Sequence, residues 1–242
     1  MLAVLDCRTP KEVQDQLCAI GYTPVLLPPH PTLPLPVASH PDMLLFFGKD
    51  RIYTAKSYYA VAREELDRIS TALQKELVLT HEDLLAGYPD EILFNAARVG
   101  DHLFCLAEHT ATEILEREEL QIVPVRQGYA KCSTLPVGDR ALITADPSIA
   151  SAAERLGLDV LRLNAQGSRL AGYDTGFFGG ASSFSPYQST SEIFFCGNLS
   201  LHPEGDLIER FCKKHGKSPV SLSKSPLLDV GTVFLVSIRQ IG

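Results

Sequence analysis

Apolar and polar positions alternate along this chain in two periods, and the two periods follow one another five times. A stretch with apolar residues three and four apart predicts an amphipathic helix. A short apolar run after it predicts a strand. The helical stretches are Thr9 to Ile20, Ser57 to Leu73, Thr110 to Glu118, Pro147 to Leu156 and Pro203 to His215. The strands that follow start at Tyr22, Glu76, Gln121, Asp159 and Pro219. Thr9-Pro10 and Asp146-Pro147 read as a cap followed by a first-turn proline. Gly21, Gly157 and Gly216 close three of the helices as left-handed C-terminal residues would.

The strand starts are spaced by 54, 45, 38 and 60 residues, and 45 more lead from 219 through the C-terminus and on to 22. The wrap-around interval matches the rest, which predicts a ring with one unit shared between the termini. Between each strand and the next helix lies a hairpin-like pair. These span Asp42 to Tyr53, Glu91 to Cys105, Lys131 to Thr144 (turning at Gly138-Asp139) and Phe177 to Phe195, the last around a polar turn from Ser182 to Ser191. The fifth opens at Leu227 and continues into residues 3 to 27. Gly-Asp turns are good hairpin signals. Each unit therefore reads β-β-α-β, and residues 1–242 read as one α/β domain, a five-unit propeller with pseudo-fivefold symmetry. Closing the ring buries sheet edges that an open array would expose.

A doubly wound sheet also alternates strands and helices, but it needs one strand per helix where this chain has two. No G-x-G-x-x-G joins a strand to a helix. Pro28-Pro29 stands where a phosphate loop would be expected, and proline has no N–H to offer a phosphate. The prolines between Leu27 and His40 read as an extended connection within the domain.

The formal net charge of −7 argues against non-specific nucleic-acid binding. No apolar run approaches the roughly 20 residues that cross a bilayer, and no leader pattern precedes the first strand, so a cytoplasmic protein with no membrane partner is expected. Cys7, Cys18, Cys105, Cys196 and Cys212 read as small core residues. No cysteine or histidine spacing points to a zinc site. No metal and no cofactor is expected. The pattern does not address oligomeric state.

Three segments carry a family resemblance. Gln127-Gly128-Tyr129-Ala130-Lys131-Cys132-Ser133-Thr134, Gly172 to Ser182 (Gly-Tyr-Asp-Thr-Gly-Phe-Phe-Gly-Gly-Ala-Ser) and Leu228-Asp229-Val230-Gly231-Thr232 resemble an uncharacterised bacterial family assigned to the pentein fold. That fold is shared by guanidino-group-modifying enzymes, the deiminases and amidinotransferases, and by a ribosome anti-association factor. The resemblance implies a central axial pocket for a small polar or cationic, guanidine- or amino-acid-like ligand. The enzymes use a cysteine in the last unit. Here that strand, Leu228 to Leu235, has none, and no Gly-His-Val-Asp-like segment supplies their histidine.

Cys132 has three readings: the nucleophile of a hydrolase or amidinotransferase, a ligand contact, or a buried structural thiol. On a strand, Lys131 would face away from it. His202 and His109 are candidate bases, though each sits at a helix start, and His40 before Pro41 has the same look. Asp174 and Asp229, short acids in glycine-flanked apolar surroundings, each need a partner, either a cationic ligand or nearby backbone N–H groups. Tyr129, Lys131, Asn95, Gly179, Gly180 and Ser182 complete the expected ligand contacts. Asp42 reads as a turn cap and Glu113 to Glu119 as a solvated face. A macromolecular interaction module is a further reading of the same fold.

Overall fold

A computed structural model of the protein describes residues 1–185 and 191–236. The five predicted helix-then-strand segments are present. Helices Lys11–Ala19, Arg63–Leu73, Thr112–Arg117, Pro147–Arg155 and Gly205–Lys214 precede strands Thr23–Leu27, Glu76–Thr80, Gln121–Pro124, Asp159–Arg162 and Ser218–Ser221. A further helix, Lys56–Val61, comes before Arg63–Leu73, and the helical path is interrupted between them at Ala62. Ala62 is fully buried, so the interruption keeps Tyr58, Leu66, Ile69 and Leu73 all facing the core.

The strands assemble into five small, separate sheets. Three are alike: an antiparallel pair followed by a strand added in parallel. They are Phe46–Phe47, Arg51–Ala55 and Glu76–Thr80; Ala97–Val99, His102–Cys105 and Gln121–Pro124; and Thr134–Gly138, Ala141–Thr144 and Asp159–Arg162. In a fourth, Glu192–Phe195 pairs in parallel with Ser218–Ser221. The fifth joins the two ends of the chain. Val233–Val236 runs antiparallel to Leu2–Asp6, which runs parallel to Thr23–Leu27.

Middle strands are covered on both faces, and their sequences are accordingly almost unbroken apolar runs. Leu2–Asp6 and Ala141–Thr144 are buried at every position. The third strands are partly exposed and alternate, as in Glu76–Thr80. Helices dock through narrow stripes such as Val13 and Leu17, or Ile208 and Cys212. Each large side chain withdrawn from water contributes roughly 1.5–3 kcal/mol.

The connections depart from expectation. Asp42 does not open a strand. Pro41–Leu44 is a short helix and the strand is only Phe46–Phe47. Residues 91–95 form turns rather than a strand. Lys131, Cys132 and Ser133 sit in a turn closed by Ser133 N–H donating to Tyr129 O (2.9 Å) and Thr134 N–H to Lys131 O (3.1 Å), and the strand begins only at Thr134. Ser183–Phe184 pairs with Val233–Phe234 in parallel and touches Phe195 through a single bridge at Ser182. Much of the expected polar turn, residues 186–190, lies outside the described residues.

Two predictions about surface position are corrected. Glu113 and Glu118 are buried, not solvated. Glu118 accepts from Tyr53 O–H and Lys49 N–H, both at 2.7 Å, and Glu113 accepts from His81 N–H. Their helix is only six residues long, so its polar side turns onto the neighbouring sheet's loops. Cys18 is exposed and Cys7 half-buried, while Cys105, Cys196 and Cys212 are in the core.

Candidate functional site

Four turns meet at the centre of the molecule: residues 40–42, 131–134, 176–182 and 229–232. Asn95 binds the first two together. Its Oδ1 accepts from the N–H groups of Lys131 (2.8 Å) and Cys132 (3.2 Å), and its Nδ2 donates to Asp42 O (3.2 Å) and Cys132 Sγ (3.1 Å). The glycine pair binds the other two. Gly180 N–H donates to Cys132 O (2.9 Å), and Gly180 O accepts from Val230 and Thr232 N–H (3.1 and 2.9 Å). Gly180 packs so closely on Asp229 Oδ1 that a Cβ would overlap that oxygen. Here only glycine fits.

The polar side chains of these turns form one continuous cluster. Cys132 Sγ–H donates to Asp42 Oδ2 (3.1 Å), and Thr232 Oγ1–H donates to the same oxygen (2.8 Å). Lys131 Nζ donates to Thr232 Oγ1 (3.0 Å) and Thr134 O (3.3 Å). The expected opposition of Lys131 and Cys132 therefore fails. In a turn the two-residue alternation of a strand does not apply, and both side chains run to the Asp42–Thr232 pair. Asp229 accepts from Phe177 N–H at Oδ2 (2.7 Å) and from Gly231 N–H at Oδ1 (3.0 Å). His40 stands between two carboxylates, Nδ1 at 3.9 Å from Asp229 Oδ1 and Nε2 at 3.8 Å from Asp6 Oδ2.

Asp42 and Thr232 are 0% exposed, His40 1% and Cys132 3%. Among the described residues, several buried atoms of these turns have no hydrogen-bond partner, among them His40 Nδ1, Asp42 Oδ1, Ser133 Oγ and Thr134 Oγ1. One ring nitrogen of His40, one oxygen of Asp42 and Cys132 Sγ lie within 4.8 Å of one another. Thr232 has φ = 68°, a left-handed conformation costly for a β-branched residue, of order 1–3 kcal/mol. The cluster holds it there through the Oγ1 contacts.

Burial dominates the electrostatics. It pushes the Cys132 thiol well above its usual range, and the Asp42 and Asp229 carboxylates add to that. Burial lowers Lys131, with Asp42, Cys132 and Asp229 opposing. Burial also raises Asp229, with His40 opposing. At rest Cys132 is a protonated, shielded thiol rather than a ready thiolate.

Not every expected residue joins the cluster. Asp174 is exposed in the turn 172–175. Tyr129 O–H is bound to Glu91, and its ring lies between Tyr88 and Phe177. Ser182 Oγ donates to Gly179 O (2.8 Å), so both shape the glycine turn. His202 packs on Phe178 and accepts from Glu204 N–H at Nδ1 (3.0 Å), and His109 pairs with Asp90. Neither is tied to Cys132. The histidine that is near Cys132 is His40, read from the sequence only as a helix start, and Asp42 is no turn cap. The only sequence signal for either was the tripeptide His40-Pro41-Asp42, which lies 90 residues from Cys132.

Beside the cluster lies a small pocket walled by Phe46, Phe47, Phe94, Phe184 and Phe234, with Lys131 at its edge. Lys131 Nζ lies 5.3 Å from the centre of the Phe184 ring.

A family model described as "Family of unknown function (DUF6873)" matches residues 4–234. The chain belongs to that family. None of the curated proteins matches it in sequence. Among solved structures it is similar to SxtG, an amidinotransferase of the saxitoxin biosynthetic pathway from Microseira wollei. The TM-score is 0.52 at 11% identity, over 100% of this chain and 94% of that one. At that identity the likeness speaks for the fold. Among the described residues, no helix is long and apolar enough to cross a membrane.

Proposed function

We propose, with that family membership as the starting point, that this chain is a single-domain pentein-type protein of the cytoplasm. Its five sheets serve as the units of one ring, and the central cluster binds a small cationic ligand of the guanidine or amidine class. One observation carries this reading: Asp42 Oδ1 is fully buried without a donor, beside the equally buried carboxyl of Asp229. An unpaired buried acceptor costs about 1–3 kcal/mol. A planar cation with several N–H donors would satisfy it.

A second reading gives the site chemistry. Cys132 Sγ lies 3.1 Å from Asp42 Oδ2. A bound guanidinium would offset the carboxylates that add to burial in keeping the thiol protonated. The thiol proton would pass to Asp42 Oδ2 as Sγ bonds to the amidine carbon. The C–N bond to the leaving amine would then break as that nitrogen takes the proton from Asp42. Likeness of fold to an amidinotransferase supports this reading coarsely.

Thermal melting against arginine, agmatine and guanidinoacetate, with a chelator present, tests the binding. Alkylation of Cys132 is followed in the same samples by peptide mass spectrometry. Binding predicts a rise in melting temperature and a changed rate at Cys132 alone, both lost in Asp42→Asn. Unchanged melting and unchanged labelling with all three compounds would remove the reading.

A further inference from the structure

We infer that His40, Asp42 and Cys132 form a binding site for a divalent transition-metal ion of the zinc type. The inference goes beyond the ligand reading and does not rest on it.

The donor atoms come from two distant turns and already converge, with a His nitrogen, an Asp oxygen and the Cys sulfur within 4.8 Å of one another. Around a tetrahedral zinc, with bonds of about 2.0–2.3 Å, such atoms sit about 3.3–3.7 Å apart. The longest separation therefore needs to shrink by only roughly 1 Å. The shorter one, from Cys132 Sγ to Asp42 Oδ2, is 3.1 Å.

The second observation is independent of that convergence. Among the described residues, His40 Nδ1 and Asp42 Oδ1 are both buried and have no hydrogen-bond partner. A dry pair of unpartnered polar atoms is costly, and a metal ion bound by the neutral imidazole and the carboxylate would meet both at once. The surrounding backbone holds both residues. Asp42 N–H donates to Gly231 O (3.1 Å), and Gly231, at φ = 69°, lies so close to His40 that a Cβ would overlap its ring.

The neighbours suit an ion. With Nδ1 on the metal, His40 Nε2 would face Asp6 Oδ2 at 3.8 Å, an oxygen that accepts from Arg8 Nη2 (2.5 Å) and would need a small shift to hold the ring. A thiolate and one carboxylate balance a charge of +2, the thiol proton passing to solvent as sulfur binds. The nearest cation, Lys131, directs its Nζ to Thr232 Oγ1 (3.0 Å) and Thr134 O (3.3 Å). Mixed nitrogen, oxygen and sulfur donors select zinc or cobalt over magnesium and calcium, which take oxygen ligands. Three protein donors would leave one tetrahedral corner free, the arrangement of reactive rather than structural zinc.

The test is titration of the full, chelator-treated chain with Co²⁺ alone, followed by absorbance. The expected result is saturation at one equivalent, with tetrahedral d–d bands and a near-ultraviolet sulfur-to-cobalt charge-transfer band. Zn²⁺ should bleach both and raise the melting temperature. Cys132→Ser, close to isosteric, should lose the charge-transfer band. His40→Gln should weaken binding by about tenfold or more. Circular dichroism of each variant separates loss of ligand from loss of fold. A folded wild type without a charge-transfer band overturns the inference. So does a band that survives in Cys132→Ser, because it would then arise at Cys7 or Cys18. A wild type that shows guanidine-dependent labelling of Cys132 but no cobalt band loses the metal site and keeps the ligand reading.

Discussion

The turns around Asp174 and Asp229 look alike in sequence and end in opposite places. Gly172-Tyr173-Asp174-Thr175-Gly176 and Leu228-Asp229-Val230-Gly231-Thr232 each set a short acid among apolar and glycine neighbours. Asp174 is in solvent, whereas Asp229 is 3% exposed and holds two backbone N–H donors, from Phe177 and Gly231. The glycines act differently. Gly176 and Gly180 pack against Asp229, although Gly176 is a sequence neighbour of Asp174. Glycine beside an acid therefore marks a close approach without saying which acid is approached. The decision rests on the other turns.

Four measurements press on this contrast. Asp229→Ala should cost most, about 3 kcal/mol in urea unfolding, because it strands two buried N–H donors. A cost below about 1 kcal/mol would mean that water replaces the carboxylate and the turn is not dry. Gly180→Ala should follow at about 2 kcal/mol, since its methyl must displace the buried Asp229 carboxylate.

Lys131→Met should be smaller and opposite in sign, a gain of roughly 1 kcal/mol near neutral pH, because an apolar chain of similar length removes a buried amine. Its pH dependence supplies a second readout. Lys131 is held below its ordinary 10.5, so the unfolded chain binds that proton more tightly. This contribution to stability grows as pH rises from the lowered value toward 10.5. Cys132, pushed above 9.0, works the other way from 9.0 upward, because the folded chain keeps a proton that the unfolded chain loses. As pH rises toward 10.5 the wild type should therefore gain stability relative to Lys131→Met. Parallel curves for the two proteins would show that Lys131 is not desolvated. Asp174→Asn should change unfolding by less than about 0.5 kcal/mol, and a larger loss would break the comparison by giving that turn a partner.

The five-fold succession of helix and strand was legible because local periodicity reports which face of an element is buried. Val13 and Leu17, or Ile149 and Ala153, announce their helices without help from elsewhere. Cys132, Lys131, Asn95 and Asp229 were legible as candidates from residue type and glycine setting. Their grouping was not. His40 and Asp42 read as local helix-start and turn residues, and locally His40 is one, preceding the helix Pro41–Leu44. Glu118 read as surface because its helix gave no sign of the Tyr53 hydroxyl that meets it.

By itself the sequence determined the five helix-then-strand segments, their order and the sharing of one sheet by the two ends, because apolar period and turn chemistry act over a few residues. Tertiary structure alone decided the centre. Cys132 meets Asp42, and Thr232 meets both Asp42 and Lys131, across separations of 90 to 190 residues. No local pattern encodes such meetings, since they follow from how the completed sheets bring their turns together and exclude water from between them.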